Sequence, residues 1–142
     1  MKIVVIDGQG GRMGSAVIEQ LKSSLPEYEI YALGTNSIAT SSMLKAGADY
    51  GATGENPVLV NTADADIIIG PMGIVLADSL LGEITPAMAC AVGKSHAYKI
   101  LLPVNRCNHH VVGCQDMPLS ESIRLVTEEV KKYLQTPSCR SE

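Results

Sequence analysis

The sequence predicts an α/β fold, a three-layer Rossmann-like sandwich with a mainly parallel sheet. Three observations predict it. Short apolar runs such as Ile3-Val4-Val5-Ile6 read as strands buried on both faces. They alternate with stretches whose apolar residues recur at helical spacing, the pattern of parallel strands joined by right-handed crossovers. The 142-residue chain has no Trp and no Phe, so its core must be built from Ile, Leu, Val, Ala and Met. That palette suits a buried sheet covered by helices.

The elements follow in order. Residues 2–6 form the first strand. Met13, Val17, Leu21 and Leu25 mark one side of a helix that Pro26 closes. Ile30, Ala32 and Leu33 give a second strand, stopped at Gly34. Residues 37–46 read as a helix with Ile38, Met43 and Leu44 on one side and Gly47 after its end. The turn-rich stretch GADYGATGENP, residues 47–57, reads as a loop with room for one short strand. Its Thr53, Glu55 and Asn56 could form a lid. Residues 58–60 are a short strand candidate, and residues 66–69 a better one, ending in Gly70-Pro71. A helical piece over residues 74–81 follows, then a helix opened by Thr85 as cap and Pro86 at its first position. Residues 99–102 form another buried strand, ended by Pro103. Val111-Val112 is a last short strand candidate. Leu119, Ile123, Val126, Val130 and Leu134 then line one side of a final helix. Residues 1–135 are expected to form one domain, with residues 136–142 a polar, frayed tail.

Composition narrows the function. A formal net charge of −4 argues against a broad basic surface for nucleic acid. The N-terminal apolar run is too short for a signal-peptide core, and residues 67–77 are too short and too broken to span a bilayer. A cytoplasmic location without membrane partners is therefore expected. The four cysteines are then expected to remain thiols.

The segment DGQGGRMG, residues 7–14, carries the functional signal. Gly8, Gly11 and Gly14 spell G-x-x-G-x-x-G, and Gly10 adds a second register. A buried strand precedes it and an amphipathic helix follows. Glycines let a pyrophosphate approach the backbone, and the N–H groups at the helix start face the anion. Asp7, Gly8, Gln9, Gly10, Gly11, Arg12 and Gly14 are therefore candidate ligand-binding residues. The alternative is a tight strand–helix turn without a ligand. Two details strain a dinucleotide version. No acid ends the second strand, where the chain reads Gly34-Thr35-Asn36. Thr35 and Asn36 join the candidates, Asn36 as a weaker ribose contact. Asp7 would repel a phosphate unless Mg²⁺ intervened, and it reads more naturally as an acceptor for loop N–H groups.

In open parallel sheets ligands lie outside the carboxyl ends of the strands. Gly70, Pro71, Asn105 and Arg106 are candidates on that ground. With strands in a 3-2-1-4-5 order, Arg106 could reach a phosphate opposite the glycine loop. Glu83, before Thr85-Pro86, is the other acid near a strand end. The GKS at residues 93–95 looks like part of a P-loop, but a helix precedes it and the earlier glycine position holds Met88. Cys107, His109, His110 and Cys114 lack the usual zinc spacing, so no metal site is assigned to them.

KIVVIDGQGGRMG, ALGTNSIATSSMLKAGA, GATGEN, DIIIGPMGIVLADSLLGEITPAMA and KILLPVNRCN together resemble a family of short bacterial proteins catalogued as a domain of unknown function. The resemblance covers residues 1–113 and implies no activity. Residues 66–105 are also similar to part of the 2-phospho-L-lactate transferase and gluconeogenesis-factor proteins. Both have a Gly-Pro after a buried strand, a Pro-started helix and a Lys-led strand ending in Asn. That similarity implies nucleotide or nucleotide-sugar binding, although the Asp-Asp-Gly-Gly run of those proteins is replaced here by Gly34-Thr35-Asn36-Ser37. The fragment GRMG resembles the loop of dihydrodipicolinate reductase.

The leading expectation is a small protein binding a phosphorylated ligand: a nucleotide, nucleotide sugar or dinucleotide, with NAD(P) among the candidates. The rivals are a small transferase or NAD(P)-dependent reductase using Asp7 or Glu83, and a structural subunit with no ligand. A homo-oligomer is expected, because residues 74–84 carry more apolar surface than one sheet face needs.

Overall fold

The computed structural model describes residues 1–103 and 108–136. The strands are β1 (Ile3–Asp7), β2 (Ile30–Gly34), β3 (Tyr50–Thr53), β4 (Ile67–Pro71) and β5 (Tyr98–Leu102). The helices are α1 (Arg12–Ser24), α2 (Ser37–Lys45), α3 (Glu55–Thr62), α4 (Pro86–Lys94) and α5 (Leu119–Gln135). The five strands form one sheet in the order β3-β2-β1-β4-β5. All four pairings are parallel.

Alternation along β1 builds the three layers. Ile3 and Val5 face one core with Val17, Ile18 and Leu21 of α1, Met43 of α2, and Ile123, Val126 and Val130 of α5. Val4 and Ile6 face the other, with Val58 of α3 and Met88, Ala89 and Val92 of α4. Both faces of the central strands are thereby removed from water, the condition for an all-parallel sheet. The open α/β sandwich expected from the alternating pattern is the fold observed.

Expectations for four stretches of the chain need correction. Residues 58–60 are helical, lying within α3. β3 and β4 are not neighbours, and a crossover between parallel strands needs a helix to cover the sheet. Val58 and Thr62, one turn apart, provide its buried side. The same helix claims Glu55 and Asn56, so the expected lid over residues 53–56 is a strand end and a first helical turn. In α2, Ile38 is 68% exposed and Leu44 also faces out, while Ala39, Thr40 and Met43 are buried. Close packing of α2 against Gly11 selects a small residue, Ala39, at that contact.

The third correction concerns residues 74–81. A single 3₁₀ turn, Met72–Val75, is followed by an irregular loop with Asp78, Leu80 and Leu81 at φ of 65°, 55° and 56°. Apolar spacing there serves two separate anchors, Ile74 and Ile84, both buried. Fourth, Val111 and Val112 form a turn, with the Cys114 N–H donating to the Val111 carbonyl at 3.2 Å. Val112 is exposed, so its apolar character reflects no sheet position. The expected tail, apart from Thr136, lies outside the described residues. So do Asn105, Arg106 and Cys107. None of the helices among the described residues is long and apolar enough to cross a membrane.

Candidate functional site

The sheet's direction of growth reverses between β1 and β4, since β2 and β3 lie on one side of β1 and β4 and β5 on the other. The loop from β1 to α1 leaves the carboxyl end of the sheet beside this reversal, where ligands of open α/β sheets bind. Asp7 ends β1 and is 6% exposed. Its Oδ1 accepts from the Gly8 N–H at 2.8 Å and its Oδ2 from the Gly14 N–H at 2.7 Å. Both oxygens therefore brace the loop, the acceptor role the sequence favoured over Mg²⁺. Burial raises the Asp7 carboxyl above its usual range, opposed by the Gly14 and Gly8 N–H groups and reinforced by the charge of Glu83.

The glycines divide into two kinds. Gly11 has φ 71°, and a Cβ there would lie 2.8 Å from the Ala39 Cα and carbonyl oxygen. Its smallness lets α2 pack against the loop. A Cβ on Gly14 would lie 2.6 Å from the Met43 sulfur and 2.9 Å from the Asp7 Cβ. By contrast, a Cβ on Gly10 would meet only the Arg12 Cγ, at 3.9 Å, and its φ is outside the left-handed region. Packing does not explain Gly10.

The loop's donors are partly used. The Gly11 N–H closes the turn onto the Gly8 carbonyl at 2.9 Å. The N–H groups of Gly10, Arg12 and Met13 meet no acceptor among the described residues. Arg12 is exposed and forms no ion pair among them. Three donors at the start of α1 are thus unused among the described residues, with the Arg12 cation beside them.

Glu83 is the residue whose role the sequence left open. Its carboxylate reaches over the loop and accepts from the Gln9 N–H at 3.1–3.2 Å, the Thr35 hydroxyl at 2.9 Å and the Asn36 amide at 2.5 Å. Asn36 also caps α2, its Oδ1 accepting from the Ala39 N–H at 2.9 Å, and donates to the Gln9 carbonyl at 2.9 Å. The structure thus brings together Asp7, Gly8, Gln9, Gly10, Gly11, Arg12, Gly14, Thr35 and Asn36, and adds Glu83. The 74-residue separation of Glu83 from Gln9 hides the pair from local patterns. An acid just before a Thr-Pro helix start was the available signal.

Gly70 and Pro71 end the neighbouring strand and are buried. A Cβ on Gly70 would lie 2.5 Å from the Ile6 carbonyl oxygen, so that glycine serves the close approach of β4 to β1. Gly93-Lys94-Ser95 lies at the end of α4, with Ser95 bonded to the Thr62 carbonyl at 2.6 Å. That is a helix terminus with no phosphate-loop geometry. His109, His110 and Cys114 are exposed. Among the described residues no group of three metal-ligating side chains converges. A cleft of about 380 Å³ is lined by residues 77–81, Asn108 and His109, and by no residue of the glycine loop.

A family model matches residues 2–135. The chain belongs to the family described as "Domain of unknown function (DUF3842)". The family match extends beyond residue 113 and includes α5. No curated protein matches the chain. A solved structure with a similar fold is a dodecameric FMN-dependent Ubix-like decarboxylase from Escherichia coli O157:H7. The two align with a TM-score of 0.54 at 16% identity, over 100% of this chain and 99% of that one. At that identity the likeness is one of fold.

Proposed function

We propose that this DUF3842 protein binds a small phosphorylated ligand of nucleotide type at the β1–α1 loop. The observation that carries the proposal is the set of unused Gly10, Arg12 and Met13 N–H groups at the start of α1, beside a Gly10 whose Cβ position is open. Helix-start N–H groups and the helix dipole favour phosphate. Arg12 supplies a charge suited to the same anion. The similarity of residues 66–105 to nucleotide-binding transferase and gluconeogenesis-factor proteins points the same way. The neighbour of similar fold is described as FMN-dependent, so FMN is the first nucleotide to try.

In this reading Gly8, Gln9 and Gly11 shape the loop and Asp7 holds it rigid. Thr35 and Asn36 offer a hydroxyl and an amide to the ligand's sugar side, and Asn105 and Arg106 are kept as proposed contacts on the sequence argument alone. The same neighbour is dodecameric, which supports reading this chain as a homo-oligomer. The expected apolar surplus of residues 74–84 is mostly turned inward, and Leu81, 96% exposed, is the side chain left for such a contact.

The test uses Gly10→Ala. The added methyl group fits the fold, meeting only the Arg12 Cγ at 3.9 Å, and in this reading takes space that the phosphate needs. Binding of FMN, followed by its fluorescence, is expected to weaken about tenfold or more while the melting temperature stays put. Equal FMN affinity in both proteins, or none in the wild type or for a panel of nucleotides, would overturn the proposal.

A further inference from the structure

Among the features outside the proposed ligand contacts, the loop over residues 76–84 stands out. It leaves the 3₁₀ turn after β4, crosses the carboxyl end of the sheet and returns to the start of α4. Its own bonds close it: the Asp78 N–H donates to the Ile84 carbonyl at 2.7 Å, and the Ile84 N–H to the Ser79 carbonyl at 3.2 Å. Two side chains then reach the glycine loop. Leu80 covers Gly8, where a Cβ would lie 2.9 Å from the Leu80 Cδ1. Glu83 occupies the donors of Gln9, Thr35 and Asn36.

A carboxylate on backbone N–H, hydroxyl and amide donors is chemically a stand-in for a phosphate. Both are anionic and accept through several oxygens. We infer that Glu83 is a built-in competing anion, and that residues 80–83 form a latch which an incoming phosphate must displace. This inference rests on the loop being the phosphate site. It adds the regulation of that site.

Three observations support a latch over a fixed wall. First, Asp78, Leu80 and Leu81 are held at left-handed φ, which non-glycine residues adopt at a cost, so the closed form stores strain that opening relieves. Second, Gly82, at φ 88° and with nothing near its Cβ position, gives the chain a free pivot next to Glu83. Third, Ile74 and Ile84 are buried on either side, so the motion is confined to the residues between two fixed anchors. A phosphate seated on Gly10, Arg12 and Met13 would face the Glu83 charge one residue away, at Gln9. Repulsion would expel the carboxylate and free its donors for the ligand. The apparent affinity is then lowered by the fraction of molecules that are latched.

The probe is inorganic pyrophosphate, titrated into wild-type, Glu83→Ala and Glu83→Gln proteins, with amide hydrogen exchange read in the same samples. Glu83→Ala is expected to bind about tenfold more tightly than wild type, with Glu83→Gln between them. In the free variants the Gln9, Gly82 and Ile84 amides should exchange faster, with Gly14 unchanged. Pyrophosphate added to wild type should release the Gly82 and Ile84 amides while protecting those of Gly10 and Met13. Pyrophosphate that binds all three proteins equally, or Glu83→Ala more weakly, would overturn the latch while leaving the phosphate loop standing. So would binding that leaves the amides of residues 82–84 unmoved. Failure of all three proteins to bind pyrophosphate would overturn the loop reading and the latch together.

Discussion

The glycine loop of residues 8–14 and the loop of residues 76–84 meet over the same sheet edge, yet they are built on opposite principles. In the first, one positive φ falls on Gly11 and another, 49°, on Gln9, and the buried carboxylate of Asp7 satisfies two of its N–H groups. In the second, three non-glycine residues take left-handed φ, and the contacts holding it down come from a distant part of the chain. The first is rigid because it is braced from its own root, by the Asp7 carboxylate on the Gly8 and Gly14 N–H groups. The second is held by tertiary contacts against local preference, which marks a segment able to change state.

The largest expected effect comes from disturbing the rigid loop. Gly11→Ala would place a methyl group against the Ala39 backbone at an unfavourable φ. It should destabilise the fold by about 3 kcal/mol. Gly10→Ala should change stability by less than about 0.5 kcal/mol. Denaturant unfolding of the two variants checks the contrast, and equal losses would erase the distinction between packing glycine and ligand glycine.

Removing the brace comes next. Asp7→Ala leaves the Gly8 and Gly14 N–H groups without their acceptor and should cost about 2 kcal/mol or more. Thermal unfolding of this variant is the check.

The same carboxylate sets a pH dependence of smaller size. Its folded-state pKa is raised, chiefly by burial, so the native state holds the proton more tightly than the unfolded chain. Its contribution to stability is fullest below the ordinary aspartate range and falls as pH rises through the raised value. Wild-type stability minus that of Asp7→Asn should therefore decline from pH 4 to 7. A difference that grows with pH would reverse the sign of the Asp7 effect.

The smallest effect belongs to the strained loop. Leu81→Gly relieves a left-handed leucine that is almost fully exposed. The gain is offset in part by the freer unfolded chain, leaving a net stabilisation of about 0.5 kcal/mol. A loss of stability measured by denaturant titration would indicate that the Leu81 side chain holds the loop.

The legibility of these two loops in the sequence differs for the same reason. β1, α1, β2 and the Thr85-capped start of α4 are written in nearest neighbours: a buried apolar run, a 3.6-residue period, a Thr-Pro step. The strand order followed from the βα alternation, since right-handed crossovers leave few arrangements. The glycine loop was legible as a turn, and Asp7 as its acceptor. Residues 74–81 read as helical because Ile74 and Leu81 fall at a helical spacing, while the burial of Ile84 and the reach of Glu83 depend on partners elsewhere in the chain. Residues 58–60 were misread because two valines in three residues suit a strand, and only the need to bridge β3 and β4 makes them helical.

The claim that ties the two loops together is that the free N–H groups at the start of α1 receive a phosphate. Amide chemical-shift mapping during an FMN titration tests it most directly. The account predicts the largest shifts at Gly10, Arg12 and Met13, followed by Gln9 and the residues around Glu83. Shifts centred elsewhere, with Gly10, Arg12 and Met13 unmoved, would contradict it.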